Sequence, residues 1–163
     1  MNKEPYKLQI EADLPKSVVE GKSFKVIYKI KNVDTKTIEK GSIRIGISWL
    51  MVGDTFSHSL TIHIETVQPN KSMDHIEQVF PVASGSTIFT IPREFFSASD
   101  GKQILLHDVD GKSLNRGEAF ASVRARSHEE ISEARALWIS AFALVILIAF
   151  QLIDWFIRYH DLF

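Results

Sequence analysis

The chain has no cysteine. That excludes disulfides, thiolate zinc sites, blue copper and a cysteine nucleophile, and it fits a reducing compartment. Net charge is nearly absent, at −1 over 163 residues. Bulk electrostatics therefore select neither an acidic substrate nor nucleic acid, and nucleic acid is not an expected partner. The opening MNKEPYKLQIEADLPKS has no apolar run of signal-peptide length, so no export signal is expected. There is no internal repeat and no low-complexity linker. No G-x-S-x-G, phosphate loop or H-E-x-x-H occurs, so the chain is not expected to be an enzyme and no cofactor is called for. No helical period of any length appears before Ser127.

What is present in abundance is an apolar run near the end. From Ala136 to Ile153 no residue is charged, and only Ser140 and Gln151 are clearly polar. A helix over 136–157 would rise roughly 33 Å, enough for a bilayer's ~30 Å hydrocarbon core. The eleven Leu, Ile, Val and Phe residues of that uncharged stretch contribute roughly −3 to −7 kcal/mol on an insertion scale. Asp154 sits near the end, where a charge costs less than at the centre. Trp138 and Trp155 bracket the run and Tyr159 follows, the layout of an aromatic belt. The run is too long and too uniformly apolar for the amphipathic helix of a soluble core.

Ser127 and Glu130 have capping-box spacing, and Glu129, Glu130 and Glu133 suit the positive end of a helix dipole. The helix is therefore expected to start near His128 and run unbroken into the membrane. The expected division is a head over 1–126, a polar helical stalk over 127–135, a transmembrane helix over 136–157 and a short tail over 158–163. This layout resembles a tail-anchored protein. Arg116, Arg124, Arg126 and Arg135 flank the span on the head side, against Arg158 on the other, so the positive-inside rule places the head in the cytoplasm. The alternative places the head outside the cell.

The head reads as β structure. In KSFKVIYKIK, Phe24, Val26, Tyr28 and Ile30 alternate with Lys25, Lys29 and Lys31, with Ile27 the exception. Ile43, Ile45, Ile47 and Trp49 alternate with Arg44, Gly46 and Ser48, and Leu60, Ile62 and Ile64 with Thr61, His63 and Glu65. Weaker strands read at 6–13, 75–82, 86–91, 103–109 and 118–126. Turn chemistry falls between most of them, at Glu20-Gly21, Gly53-Asp54, Pro69-Asn70, Ser84-Gly85, Asp100-Gly101 and Asp110-Gly111. Seven or eight short strands predict a mainly β fold, an antiparallel immunoglobulin-like sandwich followed by one transmembrane α-helix. A small barrel is the alternative.

VVEGKSFKVIYKIKNVDTKTIEKGSIRIGISW, over residues 18–49, resembles the opening hairpin of CARDB-like and related immunoglobulin-like domains. The matching positions are Glu20, Gly21, Phe24, Val26, Tyr28, Ile30, Lys31 and Asn32. Where those domains usually carry a glycine soon after the Asn, this chain has Val33-Asp34. The resemblance implies a non-enzymatic binding or spacing module, and many such domains are extracellular. Tail-anchored major-sperm-protein-like domains are similar in layout alone.

Five groups of residues are candidates for function, each with a plainer explanation. Asp108 and Asp110 in HDVDGKSLNRGE offer oxygens to a hard cation, though they fit an EF-hand loop poorly, and a polar hairpin turning at Asp110-Gly111 is the favoured explanation. Lys25, Lys29 and Lys31 form a basic face for anionic lipid or an acidic partner, or simply protect an exposed strand from mispairing. Phe95 and Phe96, in IPREFFSASDG, make a binding hot spot if exposed, or plug the end of the sandwich. The six histidines lack ligand-pair spacing. In the span, Ala136, Ser140 and Ala143 share a small-residue face suited to helix–helix association. Gln151, Asp154 and Arg158 share another stripe, where Asp154 and Arg158 can neutralise each other.

The function expected is a membrane-anchored immunoglobulin-like module that recruits or spaces a protein partner at the bilayer surface. An accessory subunit of a larger membrane complex is the second reading, and a metal-binding head the third.

Overall fold

The computed structural model describes residues 4–50, 55–81, 84–93 and 96–160. The chain divides into two units, Met1–Arg126 and Ser127–Phe163. The first is mainly β, the second a single helix. The strands are β1 (Tyr6–Asp13), β2 (Val18–Val19), β3 (Phe24–Asn32), β4 (Gly41–Leu50) and β5 (Thr55–Ile64). Then come β6 (Ser72–Val79), β7 (Gly85–Thr90), β8 (Phe96–Ala98), β9 (Gln103–His107) and β10 (Ala119–Arg126). The helix is α1 (His128–His160).

Among the described residues ten strands form, where seven or eight are expected from sequence. The two additions, β2 and β8, have two and three residues, too short to display a period-2 pattern. The pairing order is β2-β10-β7-β4-β8-β9-β1-β3-β6, with β5 also paired to β4. The sheet is mixed rather than purely antiparallel, because β1 runs parallel to β9 and β10 parallel to β2. Side-chain alternation reports which face a residue takes, not which way its neighbour runs.

β4 organises this order by changing partner along its length. Gly46–Leu50 pairs with β7, whereas Gly41 and Ser42 pair with β8. The order thus falls into two five-strand runs, β2-β10-β7-β4-β5 and β8-β9-β1-β3-β6, meeting at β4 and β8. One apolar core draws on both. Val26, Tyr28 and Ile30 of β3, Ile43 and Ile45 of β4 and Phe89 of β7 are completely buried. Tyr28 and Phe89 meet edge to face with centroids 6.1 Å apart, a favoured aromatic geometry. Gly85 opens β7 at φ +130°, and a Cβ there would lie 2.4 Å from the Leu50 carbonyl oxygen. Only glycine fits that approach of β7 to β4.

A polar knot ties β1 to the β8–β9 turn. The Tyr6 hydroxyl donates to Asp100 at 2.9 Å and accepts from the Lys102 ammonium at 2.8 Å. Lys102 also pairs with Asp100 at 3.0 Å. The Lys102 backbone N–H, and then its ammonium and the Tyr6 hydroxyl, hold the Asp100 carboxyl down to about 2. The Tyr6 hydroxyl and the Asp100 carboxylate push Lys102 up to about 12. A carboxylate with a depressed folded pKa gives stability that is present above its unfolded value, about 4, and lost as pH falls through its folded one. The denaturation midpoint is therefore expected to fall as pH drops from about 4 through about 2. In Asp100→Asn that acid limb is shallower. Urea titrations across the window check it, and equal limbs in both proteins would remove the knot from the acid response.

In the helical unit, the Ser127 hydroxyl accepts the Glu130 N–H at 3.0 Å, and the Glu130 carboxylate accepts the Ser127 N–H at 3.3 Å. This reciprocal capping box satisfies two otherwise orphaned donors and sets the start of α1 at His128. The helix then continues without a break to His160. It is long and apolar enough to cross a membrane, and none of its most apolar window is buried in the protein.

Candidate functional site

A cavity of the β unit lies where β4 changes partner. It measures about 610 Å³ and is lined by Ser42, Ile43, Arg44, Thr61, Pro92, Arg93, Phe96, Ser97 and Arg116. Each wall follows from strand register. Arg44 alternates with buried Ile43 and Ile45, so it stands on the opposite face of β4. Thr61 of β5 is its partner in register. Ser42 pairs with Ser97 of β8, which brings the β7–β8 connection, with Pro92 and Arg93, alongside.

Arg116 arrives from the β9–β10 connection. That loop is fastened to the end of β7 by two backbone hydrogen bonds. The Gly117 N–H donates to the Ile91 carbonyl at 2.7 Å, and the Ile91 N–H to the Glu118 carbonyl at 3.2 Å. Three guanidinium groups from three distant parts of the sequence thus share one cavity. The carboxylate nearest in the Arg116 loop, Glu118, is already engaged. It pairs with Lys112 and accepts the Asn115 N–H at 3.0 Å. Those contacts, the Asn115 N–H first, draw the Glu118 carboxyl below its ordinary range.

A second, smaller groove of about 300 Å³ lies between β4–β5 and β6. Ile47, Trp49, His58 and Leu60 face Glu77, Gln78, Val79 and Phe80. Nearby, the Tyr28 hydroxyl is buried and has no hydrogen-bond partner among the described residues. Burial, with the Glu77 carboxylate adding to it, pushes that hydroxyl well above its usual range. His75 sits 3.5 Å from Glu77 on the same strand.

The residues singled out from sequence are scattered. Phe96 is not in an exposed loop. It forms β8 and is 7% exposed, serving as cavity wall rather than as a projecting anchor. Phe95 lies outside the described residues. Lys25, Lys29 and Lys31 project from β3, where Lys29 and Lys31 lie between β1 and β6 while Lys25 pairs with β6 alone. The mispairing explanation therefore fails for Lys29 and Lys31. Nor is the face uniformly basic, because Lys29 stands between Glu11 and Asp74 in register and approaches Asp13 at 3.9 Å.

Asp108 spends its carboxylate on its own turn, accepting the Asp110 N–H at 3.0 Å and the Lys112 N–H at 2.8 Å. Asp110 is exposed beside it. No group of three or more potential ligands suited to a metal ion occurs among the described residues. On α1, Trp138, Ser140, Gln151 and Trp155 are all exposed. Asp154 and Arg158 form an i, i+4 ion pair at 3.0 Å, and Trp155 stacks on Tyr159 at 5.5 Å.

Sequence alone did not single out Arg44, Arg93 or Arg116 as site residues, and Arg116 entered only as a charge flanking the span. Arg44 has a signal, as the one charge alternating with three isoleucines and a tryptophan in β4. Arg93 and Arg116 have none, because nothing local shows that their loops meet.

No protein-family model matches this chain, and no curated protein matches it. Several solved structures are similar to it, two of them as follows. One is a β-glucosidase from Listeria innocua in complex with gluconolactone, with 12% identity and a TM-score of 0.42, covering 61% of this chain. This chain spans 16% of that enzyme's length. The other is the CARDB domain of a Pyrococcus furiosus protein in complex with di-metal ions, with 12% identity and a TM-score of 0.41, covering 77% of this chain and 96% of that one. The class defined is a mainly β chain followed by one apolar helix of membrane-spanning length.

Proposed function

We propose that this protein is a membrane-anchored, non-enzymatic interaction module. An immunoglobulin-like β-sandwich recruits or spaces a protein partner, and α1 confines it to the bilayer surface. The single observation that carries the reading is the surface of α1. From Leu137 to Ile157 its large apolar side chains are exposed, with Trp138 at 78% and Leu137 at 72%. A soluble protein does not leave a contiguous apolar surface of that extent in water, whereas lipid accommodates it. The sandwich reading is supported by the two five-strand runs sharing one core across the Tyr28–Phe89 contact.

In this reading residues 127–135 are a polar stalk, 136–157 the span and 158–163 a tail on the far side. Trp138, Trp155 and Tyr159 sit at the interfaces. The arginines flanking the helix favour a cytoplasmic head, at Arg116, Arg124, Arg126 and Arg135 against Arg158. Confinement to two dimensions raises the effective concentration of whatever the head binds. An accessory-subunit role is less well supported, because the Asp154–Arg158 pair neutralises itself within the helix. No partner helix is needed to balance that charge.

Protease treatment of intact cells and of inverted vesicles tests the reading. Head fragments are expected in inverted vesicles alone, with the chain resisting alkaline extraction. Digestion in intact cells would reverse the orientation, and extraction of the chain into the soluble fraction would sink the anchor itself.

A further inference from the structure

We propose that the cavity at the β4 partner switch is an oxyanion site for a phosphate-type group. Arg44, Arg93 and Arg116 line it, and no described residue of the lining is acidic. Like charges gathered around one cavity repel each other, so their convergence calls for a counter-charge. The protein does not supply one among the described residues. None of the three arginines makes an ion pair with a described residue. The cations gathered at this cavity are all guanidinium groups, whose planar fork matches phosphate oxygens two at a time.

The remaining lining suits the same ligand. Ser42, Thr61 and Ser97 bring hydroxyls to the cavity, and buried Ile43 and Phe96 give it an apolar base. Its volume of about 610 Å³ lies within the range of about 300–1,000 Å³ typical of small-molecule sites. That is more room than a lone phosphate ion fills. The ligand class is accordingly a phosphorylated small molecule or the phosphorylated headgroup of a lipid, which share the phosphate chemistry. The inference rests on the β unit alone and is independent of the anchoring role of α1.

The probe is inorganic pyrophosphate, titrated calorimetrically into the full chain in mild detergent at fixed ionic strength. Saturable binding is expected, with acetate at the same ionic strength giving none. Arg44→Gln, Arg93→Gln and Arg116→Gln are each expected to weaken it about tenfold, the loss of one charge-assisted contact, and the triple variant to abolish it. All three side chains are exposed, so the variants are expected to keep the β-sheet circular dichroism of the parent.

A second arm uses nanodiscs of phosphatidylcholine with and without phosphatidylinositol 4-phosphate. Arginine-dependent capture by the phosphorylated lipid, without pyrophosphate binding, identifies a headgroup, and saturable pyrophosphate binding identifies a free phosphate ligand. Either supports the site. Absence of binding in both arms overturns it, as does binding that survives the triple substitution. Glu94 neighbours Arg93 in sequence and lies outside the described residues. If pyrophosphate bound only to Glu94→Gln, the arginines would be compensated from within, and that too would overturn the site.

Discussion

Arginine at both Val145 and Leu147 is expected to abolish membrane integration. Both positions lie at the middle of the uncharged stretch, and both side chains are exposed on α1. The apolar residues of the stretch supply roughly −3 to −7 kcal/mol toward insertion. Two central arginines cost about 2.5–3.5 kcal/mol each, and their introduction removes two apolar contributions as well. The balance then turns to zero or positive. The measurement is the fraction of chain that resists alkaline extraction, expected to fall from nearly all to a minor part. Arginine at Glu129 and Glu133, in the polar first turns, is expected to leave that fraction unchanged. A doubly substituted chain that still resisted extraction would rule out insertion of α1 as the anchor.

Asn32→Ala is expected to be the most damaging small change in the head. Asn32 falls on the inward register of β3, after Phe24, Val26, Tyr28 and Ile30, and is completely buried. Its amide satisfies three backbone groups. Nδ2 donates to the Lys36 and Val67 carbonyls at 2.9 and 2.8 Å, and Oδ1 accepts the Asp34 N–H at 2.8 Å. The side chain thus holds the β3–β4 turn against the segment that leads into β6. Removing it strands buried backbone polar groups, at a cost of about 3 kcal/mol. That is a large share of the roughly 5–15 kcal/mol that stabilises a domain, and a fall in Tm of roughly 10 °C is expected. Asn32→Asp should be at least as severe, because a carboxylate cannot donate to the two carbonyls. Lys31→Ala, one residue away on the exposed face, is expected to change stability by less than about 0.5 kcal/mol. Thermal unfolding of the four proteins side by side checks the order. Equal midpoints for Asn32→Ala and the parent would remove Asn32 from the framework.

Asn32 also shows how far local pattern reaches. Its place in the alternating series of β3 was legible, and so was the Lys-Asn pair that carries the CARDB-like resemblance. Its hydrogen bonds were not, since Val67 is far along the chain and becomes a neighbour only through the β3–β6 pairing and the Ile38–Val67 bridge. Phe96 illustrates the opposite failure. Two adjacent phenylalanines between a proline and an Asp-Gly turn look like a loop. Yet three residues suffice for β8, because β4 and β9 stand ready to pair with them. Alternation placed the lysines of β3 on an outer face, but only pairing could reveal that Lys29 and Lys31 stand between two strands.

The amino-acid sequence by itself determined the β character of the head, the inward faces of its longer strands and the capped start of α1. It also determined the length and apolarity that suit α1 to a bilayer. These depend on period, local turn chemistry and composition, all of which act over a few residues. Tertiary structure alone decided the order of the strands, the two parallel pairings and the meeting of Arg44, Arg93 and Arg116. A cavity between distant loops is set by which backbones hydrogen-bond to which, and alternating side chains specify a face without specifying a neighbour.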